Sequence, residues 1–395
     1  MEKNACEAGS HWLNQDRVSA YPRVFIAFYL IAAMGLALTS HAGSDAFGKP
    51  LGYDFLAFWS ASHIALHGNA AAAYDMARLF EAQKIAVPAV KAVYAWFYPP
   101  TFYLLILPLA WLPYALSYLV FSTATLAGFV AAIRRVLAGP GTLLLLVAFP
   151  GIFFNLMQGQ NGFLTAALAA TALALLDRRP VLAGIVVGLL AIKPHLAVLF
   201  PVALLASARW KSALAAGLTA TGFCALSVLV LKAETFHAFI GSVNHARLML
   251  ESGALHLDKM PTYFAFARLL GLGTDIAYAL HLLVAAFVMV AVATVWHRNK
   301  PYYLRASALF TGTFLISPYL FDYDMVWLAF PMAWIGMEAV KSGWLRWERE
   351  VIAAAWLAPL LVPVLANTAS LQAGPLITTA LFVLILRRSG RAHAA

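Results

Sequence analysis

The stretch "TDIAYALHLLVAAFVMVAVATVWHRNK", residues Thr274 to Lys300, decides the fold class. From Ile276 to Trp296 it carries no Asp, Glu, Lys or Arg, and it ends on the cations Arg298 and Lys300. An uninterrupted apolar run of about 20 residues is what a helix needs to cross a bilayer. A basic cluster just after such a run marks its cytoplasmic end. The same pattern recurs along the whole chain.

Of the 395 residues, 63% are hydrophobic and only 11% are charged, with mean hydropathy +0.79. A soluble chain of this length would need far more charge to cover its surface. Basic clusters alternate with the apolar runs: Arg134 and Arg135, Arg178 and Arg179, Arg209 and Lys211, Arg346 and Arg349, then Arg387, Arg388 and Arg391. With these loops and the N-terminal tail inside, 18 Lys/Arg and 7 Asp/Glu face the cytoplasm, against 9 and 10 outside. The formal net charge of +10 is therefore topological, which excludes a nucleic-acid partner. The reading is an all-α, polytopic, single integral membrane domain over residues 1–395. It has about twelve transmembrane helices and both termini are cytoplasmic.

The expected crossings are Val24–Thr39, Thr101–Ile133, Thr142–Leu156, Gly162–Leu176, Val181–Ile192, Leu196–Ala206, Ser212–Leu231, Thr274–Trp296, Tyr303–Ile316, Met325–Ala339, Val351–Leu365 and Leu371–Leu386. Thr101–Ile133 is long enough for two short spans broken at "PLAWLPY" (Pro108–Tyr114), but two crossings would put Arg134 and Arg135 outside, so either it crosses once as a broken helix or a neighbouring apolar run is re-entrant. The first crossing, followed by Ser40-His41-Ala42, reads as an uncleaved signal anchor.

Two larger polar segments lie outside, residues 40–97 and 232–273. The first holds two expected interfacial helices, Phe55–Leu66 and Ala72–Ile85, the second of them amphipathic, with Tyr74, Met76, Leu79 and Phe80 opposite its charges. "YAWFYPP" (Tyr94–Pro100) reads as an aromatic belt at re-entry. In the second segment Phe236, Phe239, Ile240 and Val243 share a helical face, another expected interfacial helix.

Polar residues beside the spans collect at their outer ends, in "GYDF" (Gly52–Phe55), "QGQNG" (Gln158–Gly162), "IKPH" (Ile192–His195) and "SPYLFDYD" (Ser317–Asp324). Ionisable groups at membrane depth are costly and point to function. Asp54 is either an N-cap for the following helix or a base. Lys193 either snorkels or, with Pro194 breaking the helix beside it, serves a pocket. His63 and His67 share a helical face but lack a third ligand, and Cys6 and Cys224 form no motif, so neither a metal nor another cofactor is expected.

An outward acid, an outward cation and interfacial helices suit glycosyl transfer from a lipid-phosphate sugar. The carboxylate takes the acceptor's proton and the cation meets the leaving phosphate. A single base acting in line inverts the anomeric centre. "GYDFLAFWSASHIALHGNAAAAYD", "YPPTFYLLILPLAWLP", "QGQNGFLTAALAATAL", "LAGIVVGLLAIKPH" and "SPYLFDYDMVWL" together resemble glycosyltransferase family 87, over roughly Gly52–Met337.

The resemblance implies a GT-C-type helical bundle with interfacial helices on the outer side. It also implies a polyprenyl-phosphate mannose or arabinofuranose donor and a lipid or glycan acceptor in the bilayer. The expected setting is the inner (plasma) membrane, with the active site facing the periplasm. It places the catalytic base at Asp54 and the donor phosphate at Lys193 and His195. Substrate contacts are expected at Tyr53, Tyr98, Gln158, Gln160, Asn161, Asp322, Tyr323 and Asp324. Tyr323 stands where many members of that family have histidine. The competing readings are a ligase that transfers whole lipid-linked glycans, for which residues 232–273 are short, and a lipid-linked glycan or sugar transporter.

Overall fold

The computed structural model describes residues 11–40, 43–45, 48–137 and 140–391, and among these the chain is helical with a single isolated β-bridge, Ser44 to Pro50. Cys6 and His41, part of the Ser40-His41-Ala42 reading, lie outside the described residues. In chain order the α-helices are α1 (Gln15–Thr39), α2 (Phe55–His67), α3 (Met76–Ala86), α4 (Pro100–Ile106), α5 (Tyr114–Ile133) and α6 (Pro140–Val147). They continue as α7 (Pro150–Gln158), α8 (Gly162–Leu175), α9 (Pro180–Gly188), α10 (Leu199–Ala206), α11 (Trp210–Leu231) and α12 (Ala233–Ser252). The last are α13 (Tyr263–Leu269), α14 (Thr274–His297), α15 (Tyr302–Ile316), α16 (Ala329–Ser342), α17 (Glu348–Ala369) and α18 (Gly374–Arg391).

Five of the described helices are long and apolar enough to cross a membrane alone: α1, α5, α11, α14 and α17. The pair Gly141–Val147 and Pro150–Gln158, bent by 42°, passes the same test only when taken together, as a broken span or a re-entrant loop. Proline causes that break, since Pro150 cannot donate the hydrogen bond a continuous helix requires. The remaining expected crossings fall on helices too short or too polar to cross alone. The region Thr101–Ile133 is likewise divided. Helix α4 passes into a 3₁₀ turn, Leu107–Trp111, and α5 begins after Pro113.

Two apolar clusters organise the interior. The larger includes Phe129, Phe163, Phe310, Trp327 and Phe330. The other gathers Phe55, Phe58, Trp96, Phe102, Tyr103 and Phe121 around α2. Phe55 through Ser62 are all buried, so the first half of α2 is a core helix enclosed by protein, not an amphipathic strip on lipid. Eight successive buried residues leave no polar face to turn toward headgroups. Trp96 is likewise fully buried, 4.9 Å from the Tyr103 ring and stacked at 5.9 Å on Phe102. "YAWFYPP" therefore builds the core of the outer segment and is no surface belt.

Helix α3 does keep an amphipathic face, with Leu79, Ala82 and Gln83 buried. In α12 the buried stripe is Thr235, Ser242, Ala246 and Leu250, while Ile240 and Val243 stay exposed.

Candidate active site

Four separate elements bring the outer polar segments together. The loop before α2 turns at Gly52 (φ 75°) and Tyr53 (φ 29°), which delivers Asp54 to the N-terminus of α2. Asp54 occupies the N-cap position, yet its side chain makes no capping hydrogen bond. Asp75, at the same position of α3, does cap, accepting from the backbone N–H of Ala77 at 2.9 Å and of Arg78 at 3.0 Å. The chain thus caps a helix with aspartate where it needs to, and directs Asp54 elsewhere.

Gln160 Nε2 donates to Asp54 Oδ2 at 2.8 Å, across 106 residues of sequence. Gln160 is itself fixed, because its Oε1 accepts from the Tyr98 hydroxyl at 2.7 Å and from the Asn161 N–H at 3.3 Å. Among the described residues Asp54 Oδ1 makes no hydrogen bond. The "QGQNG" turn can make this approach because Gly159 is left-handed (φ 60°); a Cβ there would lie 2.5 Å from Phe55 Cβ and 2.9 Å from Gly52 O. Only glycine lets the turn close on the loop that carries Asp54.

The other residues of "QGQNG" tie in the segment Asp322–Leu328, a 3₁₀ stretch packed between α7, α8 and α17. Gln158 Nε2 donates to Asp322 Oδ1 at 3.2 Å, and that oxygen also accepts from the Tyr323 N–H at 2.8 Å. Lys193 lies in the break between the 3₁₀ turns Leu189–Ile192 and Pro194–Leu196. It is buried, ion-paired with Asp324 at 2.5 Å and bonded to Asn161 Oδ1 at 3.3 Å, with its ammonium 4.8 Å from the centre of the Tyr323 ring. Pairing is what a buried ammonium requires, since an isolated charge would be very costly to desolvate. Tyr323 therefore meets the lysine with its ring face. His195 Nε2 is buried without a hydrogen-bond partner, its ring edge-on to Tyr319 at 6.1 Å.

Burial raises Asp54 above the usual carboxylate range. The Gln160 hydrogen bond pulls it back down, as do the charges of Lys259, Lys193 and His256. Asp322 is pushed up to about 6 by burial, opposed by Gln158 and Lys259. Lys259 was not singled out as a site residue by its sequence, yet its charge is felt at both acids. It ends the 3₁₀ turn Leu257–Lys259, which Gln372 holds by donating to Leu257 O at 3.0 Å and Asp258 O at 3.1 Å. Gln372 is fully buried, so the turn is anchored from below. No sequence motif marks this tether, which joins residues more than 110 positions apart.

Of the residues expected to form the site, Asp54, Tyr98, Gln158, Gln160, Asn161, Lys193, Asp322, Tyr323 and Asp324 share these linked networks. His195 sits beside them. Tyr53 does not join: its hydroxyl turns to Asp45 at 3.4 Å, in a small separate cavity with Tyr118 and Met157. Trp59, in α2, is buried with its indole N–H on Leu112 O at 3.0 Å and lies outside these networks. The His63 and His67 rings lie 4.2 Å apart, tilted by 31°, and no group of three metal-ligating side chains occurs among the described residues.

Carboxylates, an ion-paired lysine and orienting amides thus converge in a chain that carries several helices apolar enough to cross a membrane. The pattern of glycosyltransferase family 87 matches residues 96–318, more than half of the chain. The chain belongs to that family, and it is a membrane glycosyltransferase. No curated protein and no solved structure matches it.

Proposed function

We propose that the protein transfers a sugar, mannose or an arabinofuranose-like pentose, from a polyprenyl-phosphate donor to a hydroxyl of a lipid or glycan acceptor on the extracytoplasmic side of the membrane. The observation that carries this reading is the state of Asp54. It sits at a helix start, declines to cap it, and is held by Gln160 with Oδ1 left open. A base needs an accessible lone pair in a fixed direction and a pKa closer to the operating pH than that of a free carboxylate. Burial supplies the second condition.

In the reaction the acceptor oxygen forms a bond to the anomeric carbon while the bond from that carbon to the phosphate oxygen breaks. The acceptor's proton passes to Asp54 Oδ1, and the bonding pair leaves with the lipid phosphate. Attack opposite to the leaving group inverts the anomeric configuration. The charge that grows on the phosphate oxygen needs cations held in place beforehand. Lys259 supplies one that has no ion pair among the described residues. Lys193 is already matched by Asp324, so it offers its remaining N–H and not a free charge, with His195 Nε2 as a neighbouring polar atom.

Asp54→Asn tests the assignment. Because Asp54 makes no capping bond and asparagine caps about as well, thermal unfolding in detergent should stay near that of the parent. Turnover with radiolabelled polyprenyl-phosphate mannose or arabinofuranose should fall by roughly two to four orders of magnitude. Activity within a few fold of the parent would remove Asp54 from the mechanism. Donor moved across vesicles without glycosylated product would replace transfer by transport.

A further inference from the structure

Helices α5, α8 and α15 and the segment Asp322–Ser342 all run from the acid cluster to the opposite end of the bundle. At one end they carry Tyr114, Asn161, Ser317 and Asp322; at the other they carry Arg135, Asp177, Tyr302 and Lys341. Between these far ends lies a cavity of about 460 Å³, well within the range that holds small ligands. It takes no part in the chemistry described above.

Its wall has two characters. One side is apolar, with Ala132, Val136, Leu173 and Trp334; the other presents Arg135, Arg178 and Lys341 against Asp177 and Glu338. Asp177 is already engaged, by Arg209 at 2.5 Å and by Arg305 at 3.7 Å. Arg135, Arg178 and Lys341 have no ion pair among the described residues. Beside Asp177, Arg305 is buried with its Nε and Nη1 donors unpartnered. That arginine stands outside the cavity wall and packs over the Trp296 ring, 5.5 Å from its centre. The wall itself therefore carries three exposed cations, with a single carboxylate, Glu338, left to oppose them.

We propose that this cavity binds a phosphate-bearing anion, the headgroup of an anionic phospholipid in the leaflet at the basic face of the protein. Basic pockets between membrane helices hold such headgroups through several cations acting together. The apolar wall favours a lipid over a soluble anion, because methyl groups and an indole ring give acyl or glycerol carbons something to pack against and give inorganic phosphate nothing. Site and catalytic cluster lie at opposite ends of the same helices, so this binding is separate from donor and acceptor recognition.

The test uses the full chain purified in neutral detergent, with short-chain phosphatidylglycerol, short-chain phosphatidylcholine and inorganic phosphate as probes. Bound lipid is read by native mass spectrometry and by thermal shift. Phosphatidylglycerol should bind saturably and more tightly than phosphatidylcholine. Each of Arg135→Gln, Arg178→Gln and Lys341→Gln should weaken it roughly fivefold, the effect of one cation near a lipid surface. All three side chains are exposed, so the single variants retain the fold, and parent-like melting without lipid checks this. Arg247→Gln, on the other face, should change nothing. Equal affinity for the two lipids, or no loss in any of the three variants, overturns the proposal. A shift produced equally by inorganic phosphate alone keeps the anion site but overturns its assignment to a lipid.

Discussion

At the scale of single residues, the site is governed by how each charge is met. Lys193 and Asp324 are both buried and bonded to each other across 131 residues of sequence. Removing one partner of such a pair strands the other, at a cost of about 3–5 kcal/mol. Lys193→Ala is therefore expected to lose thermal stability along with activity, and adding Asp324→Asn in the same chain should restore most of the melting temperature but not the turnover. Single and double variants that melt together would show that the pair is not what holds this break in place. Asp322 gives a second expectation, in pH. Its folded pKa, about 6, lies above its ordinary 3.8, so the folded state holds the proton more tightly. Stability from this group is full below about 3.8 and is lost as pH rises toward about 6, roughly 3 kcal/mol over the two units. Asp322→Asn keeps an oxygen for Gln158 and the Tyr323 N–H, and should flatten the melting profile between pH 4 and pH 7. An unchanged slope would place that titration elsewhere.

At the scale of elements, the decisive pieces are the breaks. "QGQNG" joins α7 to α8, and its three amide side chains go to three different partners: Gln158 to Asp322, Gln160 to Asp54, and Asn161 to Lys193. Gly159 permits this. Gly159→Ala forces a methyl to within 2.5 Å of Phe55 Cβ in a left-handed backbone, which costs about 1–2 kcal/mol for the backbone alone and about 1–3 more for overpacking. The variant should melt well below the parent and lose activity even when measured cold, since the turn and the Asp54 loop must part. Normal turnover in a folded variant would mean that the turn does not set the position of Asp54. Much of this was legible in the sequence. "GYDF", "QGQNG", "IKPH" and "SPYLFDYD" each combine a polar group with a helix-breaking Gly or Pro at the end of an apolar run, a pattern local enough to read directly. What composition hides is which partner a side chain takes. Nothing local says that Lys193 pairs with Asp324, that Tyr53 turns away to Asp45, or that Trp59 and Trp96 fill a core. Aromatic residues look alike in a sequence whether they face lipid, sugar or each other. Lys259 was the hardest to foresee, because its turn is held by Gln372 and Asn367, more than 100 positions away in the sequence.

At the scale of the whole molecule, long helices and short broken ones divide the work. In the five long apolar helices most residues are not buried inside the protein, least of all in α1. That surface suits lipid. The short elements carry the polar side chains, because a broken helix frees backbone and side-chain groups that must then be satisfied inside protein. The acids therefore gather where breaks cluster, at the ends of α7, α9 and α15, and the basic loops gather at the other end. This arrangement fixes an expectation for sidedness. In a chain lacking its native cysteines, Ser252→Cys, at the end of α12, should react with a membrane-impermeant maleimide applied from the extracytoplasmic side. Arg178→Cys, in the loop between α8 and α9, should react only after the membrane is permeabilised. Both positions are exposed, so the membrane alone decides the difference. Equal labelling of the two from one side would put the acid cluster and the basic cavity in the same compartment, and the positive-inside orientation would have to be abandoned.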